Sequence, residues 1–141
     1  MTREMTLAID CGGGGIKGSV VDERGTMMAP ARRVPTPYPL PPELLVETAV
    51  GLAKELPPAT RVTMGMPGMI RHGVVIATPH YITRDGPRSR VLPELVERWD
   101  HFDMGRAIEQ ALSLPTKVLN DAEVAGAGAI TGRGLEMIIT L

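Results

Sequence analysis

The chain has 141 residues, enough for one ordinary domain with a hydrophobic core and short for two. Its 15 lysines and arginines nearly balance its 16 aspartates and glutamates, and the formal net charge of -1 argues against nucleic acid as a partner. A single cysteine, Cys11, excludes an internal disulfide and a cysteine-based zinc site within this chain.

The first part of the chain predicts a three-stranded meander. Residues 6–9 form a short apolar strand that ends at Asp10, and residues 16–21 are rich in β-forming side chains. A third strand over residues 26–34 is expected to be weak and to lie at an edge, because Pro30 interrupts it.

A proline-rich loop, a helix and two strands follow. The segment 35–42 predicts a stiff connector, and residues 43–56 predict an amphipathic helix. The apolar stripe of this helix consists of Leu45, Ala49, Leu52 and Leu56. Residues 61–66 and 73–77 predict strands.

The next part of the chain alternates loops, helices and a strand. Residues 78–90 predict a polar loop whose arginines could meet an anion, and residues 92–99 predict a short helix. Asp103 can cap the N-terminus of a helix over residues 104–112. Residues 116–119 predict a strand.

The last segments complete the order of elements. Residues 122–131 predict a helix of small side chains, and residues 135–141 predict a buried strand. Strands followed by alternating helices and strands argue for an α/β fold with a mixed sheet, in one domain over residues 1–141. A chain that stops within a strand indicates either a terminal strand inside the sheet or a protein that continues.

Neither the apolar runs nor the N-terminus predicts a membrane protein. No run approaches the ~18 apolar residues of a membrane span. Residues 1–5 are too polar for a signal peptide. We therefore expect a cytoplasmic protein without a membrane partner.

The segment from Asp10 to Gly18, D-C-G-G-G-G-I-K-G, carries the strongest signal of a ligand site. It does not fit the P-loop pattern G-x-x-x-x-G-K-S/T, since a glycine follows the lysine. Gly13, Gly15 and Gly18 match the dinucleotide pattern G-x-G-x-x-G, which also needs a helix directly after it. Residues 19–25 predict a strand and a turn instead, which disfavours a dinucleotide site.

A β-hairpin explains the same segment better. Its turn consists of Gly12, Gly13, Gly14 and Gly15. Such a turn can expose backbone N–H groups that hold phosphate oxygens. Asp10 beside it can hold Mg²⁺, directly or through water, because hard cations take oxygen ligands. Lys17 on the returning strand can add positive charge. A plain hairpin turn needs fewer glycines, so this run beside an aspartate indicates a functional turn.

Two further strand ends carry candidate residues. Asn120 and Asp121 lie at a strand-to-helix junction, where either residue can cap the helix. Ligands of open α/β sheets bind beyond the carboxyl ends of the strands, where Asp10 also lies. A carboxylate there can take a proton from a substrate hydroxyl while a phosphoryl group approaches in line. The turn over residues 65–68 is either an ordinary turn or a set of backbone amides for a polar substrate.

These three segments, in this order, resemble the motifs of the ROK family (repressor, open reading frame, kinase) of sugar kinases. The family's first phosphate motif, D-x-G-G-T-x-x-K-G, corresponds to residues 10–18, and its G-x-P-G turn corresponds to residues 65–68. Its Asn-Asp pair corresponds to residues 120–121. Within the family, P-G-M-I-R-H-G-V-V at residues 67–75 and T-P-Y-P at residues 36–39 are most similar to polyphosphate glucokinases.

The resemblance implies an RNase H-like, actin-like ATPase fold and a role for each motif. Asp121 would be the base that deprotonates the 6-hydroxyl of glucose or a related hexose. The residues implied in sugar binding are Asn120, Pro67 and Gly68. Those implied in binding phosphate or nucleotide are Asp10, Gly12, Gly13, Gly14, Gly15 and Lys17. Mg²⁺ at Asp10 would be the cofactor, and ATP or polyphosphate the donor.

The resemblance also implies a second lobe. In the family, the last strand leads into a second phosphate motif and a C-terminal domain, so residues 1–141 would be an N-terminal lobe that is inactive alone. The full-length protein would form a homodimer. Gly14 replaces the family threonine, so a hydroxyl that could contact phosphate is missing. Residues 80–101 match the family loop poorly, which leaves the identity of the sugar open. The alternative is a non-catalytic sugar-binding protein or a regulator of the same family.

Overall fold

The computed structural model describes residues 3–124 and contains a central mixed sheet with helices packed on it. The strands are β1 (Met5–Cys11), β2 (Gly15–Asp22), β3 (Arg32–Pro35), β4 (Arg61–Met66), β5 (Met69–Arg71), β6 (Val74–Ala77) and β7 (Thr116–Asn120). The helices are α1 (Pro42–Lys54), α2 (Pro93–Trp99) and α3 (Met104–Leu112). The predicted α/β class is confirmed.

The main sheet has the strand order β3-β2-β1-β4-β7. The pairs β1–β2 and β2–β3 are antiparallel, which confirms the predicted meander. The pairs β1–β4 and β4–β7 are parallel. The chain therefore crosses back over the sheet between β3 and β4, and again between β4 and β7. As a result, the carboxyl ends of β1, β4 and β7 lie at one edge.

The core forms where α1 lies against the strands. The predicted stripe of α1 is buried at Leu45, Ala49 and Leu52. Each buried leucine of this kind contributes about 1.5–3 kcal/mol through removal of apolar surface from water. Gly18 on β2 allows the close approach, since a Cβ there would lie 3.1 Å from Leu56 Cδ1 and 3.5 Å from Leu52 Cβ.

Two strands differ from the sequence prediction. The third strand begins only at Arg32, because the segment before it keeps a single bridge, Val21 with Met27, and then passes through Pro30, which has no N–H for a ladder. β6 does not join the main sheet. It pairs antiparallel with β5, a strand of three residues that the pattern did not indicate, in a separate hairpin.

The N-terminus of α3 has the cap that the sequence predicts. The Asp103 side chain accepts a hydrogen bond from the backbone N–H of Arg106 at 3.0 Å and caps the helix. Ser113 ends α3 with a left-handed backbone conformation, φ 55°. α3 packs against α1 and β7, and this contact fixes the strand that leads to Asn120.

Residues 121–124 begin a helix directly after β7. The remainder of the helix predicted over residues 122–131, and the strand predicted over residues 135–141, lie outside the described residues. Among the helices that the structure describes, none has both the length and the apolar character required to cross a bilayer.

Candidate active site

The carboxyl edge of the parallel strands brings the predicted residues together. Asp10 on β1 lies opposite Gly65 on β4, and Gly65 lies opposite Leu119 on β7. Asp121 follows two residues later. On the antiparallel side, Lys17 of β2 lies opposite Asp10. Residues far apart in the sequence thus reach one edge through strand register alone.

A cleft of about 350 Å³ opens at this edge. The side chains of Asp10, Lys17, Ser19, Thr63 and Asp121 line it, together with Gly65 and Val124. A larger cavity of about 540 Å³ lies between the β5–β6 turn, α3 and β7, and no predicted site residue lines it. The smaller cleft therefore holds the candidate chemistry.

The floor of the cleft is closely packed around a glycine. A Cβ on Gly65 would lie 3.7 Å from the Asp121 Cα, an ordinary contact, but only 3.2 Å from Val124 Cγ2. The second contact is tighter than most in proteins, so Val124 would have to shift by a few tenths of an ångström. The absence of a side chain on Gly65 lets the helix that starts at residue 121 rest on β4, and it sets how close Asp121 comes to the strand.

Packing, and not backbone conformation, accounts for Gly13 in the glycine turn over residues 12–15. A glycine-rich turn commonly needs glycine for a left-handed backbone conformation. None of Gly12, Gly13, Gly14 and Gly15 has a φ in the left-handed region. Gly13 is required by packing, since a Cβ there would lie 2.8 Å from Pro87 Cγ, whereas a Cβ on Gly14 meets nothing within 4 Å. The family threonine would therefore fit at position 14.

Hydroxyl groups of three other residues donate hydrogen bonds to the glycine turn. Gly12 N–H donates to the Gly15 carbonyl at 2.9 Å and closes the turn. The Gly12 carbonyl accepts from Thr36 Oγ1 and from Tyr81 OH, each at 2.9 Å, and the Gly13 carbonyl accepts from Tyr38 OH at 2.8 Å. Within the part of the chain that the structure describes, the N–H groups of Gly13 and Gly14 have no acceptor.

Asn120 caps the helix and Asp121 faces the cleft. Asn120 Oδ1 accepts from Ala122 N–H at 2.8 Å, and Asn120 N–H donates to Glu123 Oε2 at 3.2 Å, which together form a capping box. Asp121 Oδ1 accepts from the same Ala122 N–H at 2.9 Å. Asp121 is exposed, and its Oδ2 has no hydrogen-bond partner among residues 3–124. That oxygen is open to a substrate hydroxyl.

The Pro67-Gly68 turn is tied to the same edge. Asn120 Nδ2 donates to the Gly68 carbonyl, and buried Thr78 Oγ1 donates to the Pro67 carbonyl at 3.0 Å. Gly68 has φ +111°, and a Cβ there would fall on the Ala77 carbonyl oxygen and within 2.8 Å of Thr78 Cα. Only glycine fits this position, and Asn120 connects the turn to the helix that carries Asp121.

The donor atoms in the cleft fit a magnesium ion bound together with phosphate. Among the described residues, no group of three or more His, Cys, Asp and Glu side chains comes together. Asp10 and Asp121 offer carboxylates, and Ser19 and Thr63 offer hydroxyls. Magnesium usually takes one or two carboxylates and fills its other positions with water and substrate phosphate.

Cys11 does not take part in covalent chemistry at this site. Its side chain is fully buried, and burial, with the Asp10 charge as a second cause, raises the pKa of the thiol. A thiol must lose its proton to act as a nucleophile. The reactive groups of the cleft are therefore oxygen and nitrogen groups.

Sequence reasoning found both carboxylates of the cleft but missed the residues behind the glycine turn. Tyr81 was placed in a polar loop, yet its side chain is 0% exposed. The T-P-Y-P run at residues 36–39 was the one available signal, because it supplies Thr36 and Tyr38. Pro87 and Tyr81 carry no motif that could have marked them.

Comparison with known proteins shows the family of the chain. A model of the ROK family matches residues 6–136. N-acetylmannosamine kinase of Escherichia coli is 33% identical over 122 residues, which cover 85% of this chain and 37% of that protein. The chain thus spans little more than a third of the length of this relative.

Two crystal structures resemble the fold. Inorganic polyphosphate/ATP-glucomannokinase from Arthrobacter sp. strain KM superposes with a TM-score of 0.66 at 32% identity, over 87% of this chain and 46% of that one. The ROK family glucokinase from Streptomyces griseus, in complex with glucose and AMPPNP, superposes with a TM-score of 0.65 at 27% identity, over 88% and 35%.

Proposed function

The chain belongs to the ROK family, and from this membership we propose that the protein containing it is a sugar kinase. The reaction is transfer of a phosphoryl group from ATP or polyphosphate to the 6-hydroxyl of glucose or a related hexose. The observation that carries the proposal is one cleft with Asp121 exposed in it and Asp10, Lys17 and the glycine turn beside it.

Asp121 acts on the acceptor. Its free Oδ2 accepts the proton of the sugar hydroxyl as the phosphoryl group arrives. The capping box holds the first helical turn, so the carboxylate is fixed relative to β7. In phosphoryl transfer, most of the catalysis comes from positioning and charge stabilisation, and a rigid attachment serves both.

The Pro67-Gly68 turn and Asn120 form the sugar side. Asn120 bonds to the Gly68 carbonyl, so the turn and the catalytic helix move as one unit. A hexose bound against the turn would then keep a fixed distance from Asp121. The relatives include kinases named for glucose, for glucose with mannose, and for N-acetylmannosamine, so the proposal covers related hexoses.

The donor side consists of the glycine turn, Lys17 and Asp10. The free N–H groups of Gly13 and Gly14 suit phosphate oxygens. Asp10 would hold Mg²⁺ together with those oxygens, and the ion would neutralise charge that develops on the transferring group. Lys17, opposite Asp10, adds a second positive charge next to the donor.

The chain spans about 37% of the length of the N-acetylmannosamine kinase that it matches. We propose that residues 1–141 are one lobe and that the segment corresponding to the remaining length supplies the other wall of the cleft. The 141-residue chain alone should then bind ligands weakly and turn over no hexose.

The test is Asp121→Asn in the full-length protein. We expect turnover to fall about 10²–10⁴-fold, because the base is lost while the helix cap at Asn120 remains. Asp103→Asn is the matched control, since asparagine caps α3 as well as aspartate does, and Asp103 does not line the cleft. Glucose and N-acetylmannosamine would each be assayed with Mg²⁺ and either ATP or polyphosphate.

Three outcomes would contradict the proposal in different ways. Unchanged turnover in Asp121→Asn would remove Asp121 from the mechanism. A wild-type protein that phosphorylates no hexose would refute the kinase activity. Glucose binding by calorimetry without turnover would favour a sugar-binding protein of the same family.

A further inference from the structure

The aromatic side chains of this chain form one continuous row behind the glycine turn. The chain has one tryptophan, two tyrosines and one phenylalanine. Tyr38 and Tyr81 have ring centroids 6.4 Å apart, Tyr81 and Trp99 are 5.6 Å apart, and Trp99 and Phe102 are 6.2 Å apart. These separations are those of interacting aromatic pairs. The row connects α2 to the turn.

The hydroxyl end of this row fixes two successive peptide groups. Tyr81 OH donates to the Gly12 carbonyl and Tyr38 OH donates to the Gly13 carbonyl, at 2.9 and 2.8 Å. In a trans peptide the C=O of one residue and the N–H of the next point in opposite directions. Holding the Gly12 and Gly13 carbonyls towards the tyrosines therefore directs the N–H groups of Gly13 and Gly14 away from them.

Burial stabilises the hydrogen bond from Tyr81 OH to the Gly12 carbonyl. The side chain is fully buried, and the Gly12 carbonyl is the acceptor of its hydroxyl. Burial, with the negative charges of Asp10 and Asp121 as smaller causes, raises the pKa of Tyr81, so the phenol keeps its proton and stays a donor. Loss of this acceptor would leave the buried hydroxyl without a hydrogen bond and would destabilise the folded state by its desolvation free energy.

We propose that Tyr38 and Tyr81 are positioning residues for the phosphoryl donor. They hold the glycine turn with its N–H groups towards the donor phosphates, and Thr36 adds a second bond to the Gly12 carbonyl. The inference rests on the proposed function for the identity of the donor. It assigns to Tyr81, in the loop over residues 78–90, a role in donor binding that differs from the contact with an anion predicted for the arginines of this loop.

The experiment compares Tyr81→Phe and Tyr38→Phe with wild type in the full-length protein. Phenylalanine keeps the ring in the row and removes only the hydroxyl. We expect the KM for ATP or polyphosphate to rise about 2- to 10-fold for each variant, as for the loss of one hydrogen bond, with the hexose KM unchanged. Calorimetric titration with tripolyphosphate should show a matching loss of affinity without any need for turnover.

Thr83→Val is the matched control. Thr83 is buried in the same loop and donates to the His80 carbonyl at 2.8 Å, but it does not touch the glycine turn. A purely structural effect of a lost buried hydroxyl would appear in this variant also, and it would shift the donor and hexose KM values together. We expect Thr83→Val to leave the donor KM unchanged.

The outcomes separate this inference from the proposed function. An unchanged donor KM and tripolyphosphate affinity in both tyrosine variants would overturn the inference, as would an equal rise of the donor and hexose KM values. A wild-type protein that does not bind tripolyphosphate would also overturn it. Tyrosine-dependent tripolyphosphate binding, in a protein that phosphorylates no hexose, would keep the inference and refute the kinase.

Discussion

Replacing Gly68 by alanine tests how the Pro67-Gly68 turn is built. Gly68 has φ +111°, which L side chains rarely adopt, and the added Cβ would fall on the Ala77 carbonyl oxygen. Backbone strain of this kind costs about 1–3 kcal/mol. Relief of the overlap requires β6 to move, which weakens the buried bond from Thr78 Oγ1 to the Pro67 carbonyl. Loss of a buried hydrogen bond adds about 1–3 kcal/mol.

We therefore expect Gly68→Ala to lower the free energy of unfolding by about 2–6 kcal/mol. For a domain of this size, the melting temperature should fall by about 5–20 °C. Urea unfolding followed by circular dichroism gives the free energy directly, and the slope of the transition shows whether the folded state stays compact.

Gly51→Ala is the control for the same substitution at a permissive site. Gly51 is exposed on α1 and a Cβ there meets nothing within 4 Å, so alanine should stabilise the helix by about 0.5–1 kcal/mol. If Gly68→Ala differed from wild type by less than about 1 kcal/mol, the turn would tolerate a side chain and the reasoning from strain and overlap would be wrong.

Two further predictions concern the cleft and acid stability. Gly65→Ala should push Val124 and the helix that carries Asp121 away from β4 and lower kcat about 10-fold or more. Val124→Ala in the same protein should restore much of the rate, and failure of this rescue would argue against the contact. The backbone N–H groups of Thr26 and Arg24 and the Arg3 guanidinium lower the pKa of Asp22, against a smaller opposing effect of burial. The stabilising effect of the Asp22 carboxylate is therefore present above about pH 4 and is lost as the pH falls through the native pKa of this group. Asp22→Asn should be less stable than wild type at neutral pH, and the difference should close in acid; a difference that does not change with pH in urea unfolding would contradict this.

Local sequence signals located most of the main sheet. The strand over residues 61–66 and the helix over 104–112 have the predicted bounds, because a run of apolar residues ends at a turn in one case and a capping aspartate starts the other. β5 could not be predicted, since three residues show no periodicity. The third strand is shorter than predicted, because Pro30 has no N–H for the ladder and β3 begins only at Arg32.

Some residues of the candidate site could likewise be predicted from local sequence, and others could not. Asp10 and Asp121 were found because polar residues that directly follow apolar strands can be recognised in sequence, and parallel pairing places strand ends side by side. The role of Tyr81 could not be found, because its bond to Gly12 joins residues 69 positions apart and depends on how a loop folds back. The glycine run was recognised as a site, but packing against Pro87, and not backbone conformation, explains Gly13.

The hydrogen bonds to the glycine turn, the proposed donor site, form late in folding. The partners of the Gly12 carbonyl lie 24 and 69 residues further along the chain, so local structure in the first hairpin cannot form the site alone. Contacts of such long range pay their loop-closure entropy before they contribute stability. A nascent chain shorter than about 80 residues would therefore lack the Tyr81 bond that holds the Gly12 carbonyl. A polyphosphate that binds the finished turn selects the fully folded state and raises its stability in proportion to the logarithm of its concentration.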